Sequence, residues 1–215
     1  MLKHTIVSSA SAGMAIRDLL LASQNAGKLA EMRQLVAGLP FRVLGPKDVG
    51  IQDAPEETGA SFAENAALKA RYYATRSSLL AVADDSGISV DALNGEPGLF
   101  SSRFGGGGAS NDERNRLLLS KLAGLPPDRR GARFTSCVAL ARGEEILFRV
   151  TETVEGRIAD EPRGSNGFGY DPIFFYPPFG KTFGEVPPEQ KDRVSHRGKA
   201  FARLREFLAS FADGR

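Results

Sequence analysis

The stretch from Leu79 to Gly98 constrains the chain most. Leu79-Leu80-Ala81-Val82-Ala83 is a short apolar run; Asp84-Asp85-Ser86-Gly87 follows at once, and alternation resumes at Ile88, Val90 and Ala92. An apolar run of this length, bounded by turn-forming residues, reads as a buried strand. Two carboxylates are therefore expected where a buried strand ends. Crowded there, they repel each other unless a cation sits between them. A hard divalent cation with oxygen ligands, Mg²⁺ above all, suits them. The same residues also make an ordinary solvated turn, because Asp and Ser are common turn formers.

Bulk properties narrow the field. A chain of 215 residues fits one large domain or two small lobes, and 41% hydrophobic residues suffice for a substantial core. The formal net charge is only +2 and no long basic run occurs, which argues against binding a nucleic-acid backbone. No apolar run approaches the roughly 18 residues a membrane helix needs. The single cysteine, Cys137, excludes an intrachain disulfide and fits a reducing cytoplasmic compartment. It lies in an alternating stretch, so core packing is its expected role. Residues 1–16 read as an N-terminal extension without structure, and Met14 would serve as an alternative start. The stretch Met1–Gly13 lacks the apolar segment of a secretory peptide.

Upstream, Leu19-Leu20-Leu21-Ala22 predicts a strand running into Ser23-Gln24-Asn25-Ala26-Gly27-Lys28. A helix follows with Leu29, Met32, Leu35 and Val36 on one face. A strand, a short polar loop, a lysine and a helix start can hold phosphate, since backbone N–H groups and a cation converge on the anion. It is not a Walker loop, which needs a glycine at Ala22 and a hydroxyl at Leu29. Phe41–Leu44 predicts a second strand. Ser61 with Glu64 predicts a capping box for a helix from Ser61 to about Thr75, with Phe62, Ala66, Ala70 and Tyr73 inward. Asn65 and Lys69 stand one turn apart and are expected to reach toward one point. Glu56 or Glu57, placed beside Asp85, could add an oxygen to a cation.

Farther on, Gly105–Gly108 predicts a flexible loop, and Ser110 with Glu113 caps another helix. Arg133–Ala141 and Ile146–Val150 alternate on either side of a turn and predict a β-hairpin. Gly167-Phe168-Gly169-Tyr170-Asp171 combines small residues with aromatics, so a flat ligand could approach the backbone and stack on Phe168; such aromatics also serve simply to plug a core. His196 and Arg197 open the last helix. Cations are disfavoured at a helix start unless an anion or acceptor is present, which makes the pair candidate ligand contacts.

These pieces together resemble the inosine triphosphate pyrophosphatase family, the dITP/XTP or non-standard purine NTP pyrophosphatases. The resemblance rests on Ser23–Lys28, Glu56-Glu57-Thr58-Gly59 with Ser61–Ala66, Ala83–Gly87, Pro97-Gly98 with Ser102-Arg103-Phe104, Gly167–Pro172, and Ser195-His196-Arg197. They occur in family order over about residues 17–210. Gln24, the glycine run at 105–108 and Gly184 depart from the family pattern.

The resemblance implies an α/β protein, elongated and two-lobed. A long mixed central β-sheet would be flanked by helices, a nucleotide cleft would lie between the lobes, and one pyrophosphatase domain would occupy residues 17–212. It implies a homodimer that hydrolyses ITP, dITP and XTP to the monophosphate plus pyrophosphate with Mg²⁺. Asp85 would be catalytic, as metal ligand and general base, with Glu56 the second metal carboxylate and Glu57 close behind. Substrate contacts would come from Ser23, Gln24, Asn25, Ala26, Gly27, Lys28, Lys69, Ser86, Phe168, Gly169, Tyr170, Asp171, Lys191, His196 and Arg197. Donors at His196 and Arg197 would favour the acceptor that hypoxanthine and xanthine carry at position six over the donor of adenine. A Maf-type pyrophosphatase is the alternative enzyme; Phe168–Asp171 and Ser195–Arg197 argue against it. A catalytically silent nucleotide sensor is the alternative outside enzymes, and it has no use for Asp85.

Overall fold

The computed structural model describes residues 17–212; the extension at 1–16 and the start at Met14 lie outside the described residues. The first strand, β1 (Arg17–Leu21), leads through a polar loop into α1 (Ala26–Val36), and β2 (Phe41–Leu44) follows. Helix α2 (Phe62–Ser77) precedes the long strand β3 (Leu80–Val90). Next come α3 (Asn111–Lys121), β4 (Gly131–Arg142), β5 (Glu145–Ile158), the short β6 (Phe174–Tyr176) and β7 (Lys181–Thr182), then α4 (Pro188–Asp192) and α5 (His196–Ala212). The strands form one mixed sheet in the order β2-β1-β3-β4-β5-β6-β7. Strand β1 is parallel to both β2 and β3, and every later pairing is antiparallel.

Alternation along the strands sorts the core. On one face, Leu19, Leu21, Val82, Val138 and Leu140 pack with Met32 and Val36 of α1 and Phe201, Leu204 and Leu208 of α5. On the other, Leu20, Ala22, Ala81, Ala83, Cys137 and Ala139 pack with Ala66, Ala70 and Tyr73 of α2. The small side chains on this face let α2 lie close to the sheet. Beyond the carboxylates the sheet changes partners. Ile88, Val90, Phe134, Val154 and Ile158 pack instead with Leu118 and Leu122 of α3 and with Tyr170, Phe174 and Phe183. The interior thus has two regions along one sheet, and Asp84 and Asp85 stand at the border between them.

Several expectations need correction. The strand does not stop where the apolar run does: β3 continues through both carboxylates and pairs with β4 at every step, Asp84 opposite Val138, Asp85 opposite Cys137 and Ser86 opposite Ser136. Adjacent residues of a strand face opposite sides. Asp84 therefore points where Val82 points, toward α1 and α5, and Asp85 points where Ala83 points, toward α2. The repulsion expected between them is relieved by this divergence, with no shared cation needed. The second hairpin strand runs well past Val150, to Ile158.

Ser61 caps α2 by accepting from the Glu64 N–H, but Glu64 reaches back to the Ala60 N–H, so the capping box is offset by one residue. At Ser110 and Glu113 the box closes as expected. Asn65 and Lys69 do not share a target. Asn65 Oδ1 accepts from the Gly59 N–H at 2.8 Å, while Lys69 turns to Glu57 and Asp85.

Candidate active site

Two ion-pair networks meet at the border between the core regions. The first gathers around Asp84. Its carboxylate is fully buried and pairs with Lys28 of α1 at 2.9 Å and Arg197 of α5 at 3.2 Å; the Ser136 and Ser86 hydroxyls also donate to it. Burial by itself would raise this carboxyl. Arg197 and Lys28, helped by the Ser136 hydroxyl, overcome burial and hold Asp84 well below the usual carboxylate range. Arg197 also pairs with Glu31, and Glu31 pairs with Lys191 at 2.6 Å. Lys191 lies 2.6 Å from Asp171, whose other contact is the Phe168 N–H. Burial would lower the Lys191 ammonium, but Asp171 and Glu31 together raise it. The start of α5 is therefore not a naked pair of cations: its arginine is satisfied by two carboxylates.

The second network lies on the α2 side. Lys69 donates to Asp85 at 2.5 Å and to Glu57 at 3.0 Å, and Arg103 donates to the other Glu57 oxygen at 3.0 Å. Burial raises the Asp85 carboxyl, and Lys69 and Lys28 only partly oppose this. Burial works against the Lys69 ammonium, but Asp85 and Glu57 outweigh it and raise it. Lys28, which sees Asp84 alone at close range, is lowered by burial despite that partner. Glu56, placed in this site by the sequence reading, is exposed and turned away. Glu57 occupies the position beside Lys69 and Asp85. Its contacts are the reason: Lys69 and Arg103 hold the Glu57 side chain on the cleft side of this irregular segment.

A polar hollow with Asn25, Lys28, Lys69, Asp85 and Ser86 on its walls opens over the second network. Asn25, Lys28 and Ser86 also line a second hollow, so the two adjoin. Its walls include Phe134, Phe168, Gly169, Tyr170, Lys191 and His196. Phe168 lies with its ring centroid 5.4 Å from both the Lys191 and the Arg197 cations, and against Gly27 so closely that a Cβ there would sit 2.7 Å from the ring. His196 stacks on Phe134 at 4.6 Å with the rings nearly parallel. Burial, then Arg197 and Lys191, push the imidazole well below its ordinary value, so it is neutral near pH 7. Its Nδ1 is buried and finds no partner among the described residues.

Of the loop residues, Asn25 caps α1 through the Lys28 N–H, and Ser23 accepts from the Asn25 N–H. Ala26 and Gly27 form the first turn of that helix. Gln24 turns outward to the Gln52 carbonyl. Tyr170 is buried, its hydroxyl bonded to the Ser101 carbonyl.

Sequence reasoning missed four participants: Glu31, Arg103, Phe134 and Arg114. Glu31 carried a signal, since it follows Lys28 by three residues and shares its face of α1. Phe134 and Arg114, the latter with a buried Nε lacking a partner, line the aromatic hollow only because β4 and α3 converge there.

Only two carboxylates face each other across the second network, and among the described residues no three metal-binding side chains are grouped. That donor set does not make a closed protein cage. It does fit a hard cation that takes one or two carboxylates and completes its shell with water and phosphate oxygens, as Mg²⁺ does. Lys69 already holds a positive charge between Asp85 and Glu57.

A cleft with lysines and carboxylates at one end and aromatic rings at the other, opened across a mixed sheet, defines an α/β protein with a site suited to a phosphorylated aromatic ligand. The chain belongs to the Ham1 family, whose model matches residues 19–207. A dITP/XTP pyrophosphatase of Methylococcus capsulatus is 46% identical over 200 residues, covering 92% of this chain and 99% of the relative. One from Thermus thermophilus is 45% identical, covering 91% and 92%. Among solved structures, a HAM1 protein from Coxiella burnetii aligns with a TM-score of 0.82 at 41% identity, covering 91% of this chain and all of that one. The fold expected from the resemblance, a mixed sheet flanked by helices, is the fold found.

Proposed function

We infer that the chain is a nucleoside-triphosphate pyrophosphatase that converts ITP, dITP and XTP to the monophosphate and pyrophosphate. The family membership supports the reaction, and the joined hollows support the substrate class. One observation carries the reading: Lys28 and Ser86 line both hollows, so a ligand stacked beside Phe168 places its phosphates against Lys28, Lys69 and Asp85. The α–β phosphoanhydride is cut by water, which supplies its oxygen to the monophosphate and its protons to the medium and the leaving pyrophosphate.

Charge explains why a metal belongs to this reading. Five carboxylates, Glu31, Glu57, Asp84, Asp85 and Asp171, meet five cations, Lys28, Lys69, Arg103, Lys191 and Arg197. With Arg114 of the aromatic hollow added, the cleft has about one net positive charge to offer a triphosphate of nearly four negative charges. Asp85 and Glu57, rather than Glu56, would hold Mg²⁺, which when bound supplies charge neutralisation and a more acidic water. Asp85 is the general base of this reading, because its carboxylate reaches the polar hollow whereas Asp84 is fully buried and locked by two cations. Lys28 and Lys69 hold phosphate oxygens, together with the free N–H groups at the start of α1. Ser86, already bonded to Asp84 and Arg197, positions the substrate near the sugar.

Arg197, through the one Nη1 hydrogen that Asp84, Glu31 and Ser86 leave unengaged, and His196 present donors to the purine at position six. Neutral His196 has one N–H and one acceptor, and its unpartnered Nδ1 is the kind of buried polar atom a ligand satisfies. Lys191 and Asp171 set the Phe168 loop against the base. One domain over 17–212, a homodimer and a cytoplasmic setting complete the reading. The family resemblance supports the first two and the single, buried Cys137 the last. No described helix is long and apolar enough to cross a membrane.

The experiment is product analysis with ITP and Mg²⁺. Pyrophosphate should appear in step with IMP, and chelation of the metal should stop both. Release of orthophosphate and IDP would refute the reading.

A further inference from the structure

The motif Ser102-Arg103-Phe104 has no part in the mechanism above, yet it delivers a cation to the second network. Arg103 Nη2 donates to Glu57 Oε2 at 3.0 Å, while Lys69 takes Glu57 Oε1 at 3.0 Å and Asp85 Oδ1 as well. Both Glu57 oxygens are thus occupied. A divalent cation that binds Glu57 beside Asp85 competes with these two partners for the carboxylate's remaining lone pairs and repels both of them as like charges. They are not equally held. The Lys69 side chain is only 12% exposed and bridges two carboxylates, whereas Arg103 is 49% exposed and has Glu57 as its one ion-pair partner among the described residues. An ion pair with one half-exposed member is worth little and is easily given up. Arg103 also stands at the rim beside Ser102, which lines both hollows, and its guanidinium lies 5.7 Å from the exposed ring of Phe100. Once released, it faces the end of the cleft where the lysines hold phosphate, and a guanidinium matches a terminal phosphate bidentately.

We propose that Arg103 is an exchangeable counter-ion. It holds Glu57 while the cleft is unloaded, yields that oxygen to the divalent cation, and turns to the outer phosphates that leave as pyrophosphate. This rests on the functional reading above and gives Arg103 a contact with the substrate that the reading did not assign.

The test is calorimetric titration of the full chain, without nucleotide, first with Mn²⁺ and then with inorganic pyrophosphate at saturating Mn²⁺. Removing a competing half-exposed ion pair should tighten Mn²⁺ binding in Arg103→Ala by roughly two- to fivefold. Pyrophosphate binding should weaken by about tenfold, the scale of one charge-assisted contact. Arg103→Lys, which keeps the charge, should restore much of both. Glu57→Gln combined with Arg103→Ala should show no tightening relative to Glu57→Gln alone. Weaker or unchanged Mn²⁺ binding in Arg103→Ala would overturn the proposal, since Arg103 would then merely orient Glu57 or do nothing there. Unchanged pyrophosphate binding, or no Mn²⁺ binding by either protein, would overturn it too. Failure of the functional reading looks different: the Mn²⁺ exchange would appear as described while ITP released no pyrophosphate.

Discussion

Asp84 and Asp85 are neighbours in sequence with opposite fates, and substitution should separate them. Asp84→Asn leaves Lys28 and Arg197 buried with only part of their compensation. Breaking a buried pair this way costs about 3–5 kcal/mol, to be seen as a lower midpoint in denaturant unfolding. Asp85→Asn should fold with a midpoint close to the parent and lose turnover of ITP by at least about a hundredfold, the scale of general-base catalysis. A well-folded Asp85→Asn with normal turnover removes Asp85 from the mechanism.

His196 predicts a pH dependence of stability. Its folded-state pKa is depressed by burial, so between that value and the unfolded pKa near 6.5 the unfolded chain binds the extra proton. Stability should therefore rise with pH in that window, by up to about 1.4 kcal/mol per unit, and its contribution is fully present above pH 6.5. Asp192 works against this. Burial and nearby Glu31 raise it to about 6, so it stabilises the fold as pH falls from about 6 toward 4. The difference in slope between the parent and His196→Gln isolates the imidazole. Equal slopes between pH 5 and 6.5 would contradict a neutral buried His196.

At the scale of elements, α1 is joined to the 167–171 loop by the contact of Gly27 with Phe168. Gly27 has an ordinary helical φ, so alanine is conformationally allowed there and could even add up to about 1 kcal/mol of helix propensity. The added methyl must displace the Phe168 ring, which lies 2.7 Å from where it would sit. Gly27→Ala should therefore push the Phe168 loop away from α1, lowering the melting temperature and raising KM for ITP by about tenfold. An unchanged KM would mean that the ring does not contact the base. The elements themselves were legible. Apolar periodicity located β1, α1, β2, α2 and α5, and the hairpin of β4 and β5 followed from alternation about a Gly-containing turn. What misled was Asp84-Asp85-Ser86-Gly87, which reads as a turn because nothing local reveals that Lys28 and Arg197, 56 and 113 residues away, neutralise a carboxylate in mid-strand. Glu56 and Glu57 were inseparable for a similar reason: the phase of an irregular segment is fixed by its contacts, here Lys69 and Arg103.

At the scale of the whole molecule, one sheet carries two differently packed regions, and the cleft lies where the packing changes hands. Residues from α1, α2, β3, α5 and the 167–171 loop meet there, which no local pattern announces; only the combination of short motifs in family order pointed to it. The separation of a phosphate end from a base end along this border is the central claim, and selectivity between purines tests it most directly. The measurement is kcat/KM for ITP and for ATP under the same Mg²⁺ concentration, scored by pyrophosphate. Donors at His196 and Arg197 should favour the acceptor of hypoxanthine over the amino group of adenine by at least about a hundredfold, and ITP should win by that margin. Equal values for the two nucleotides would contradict the account.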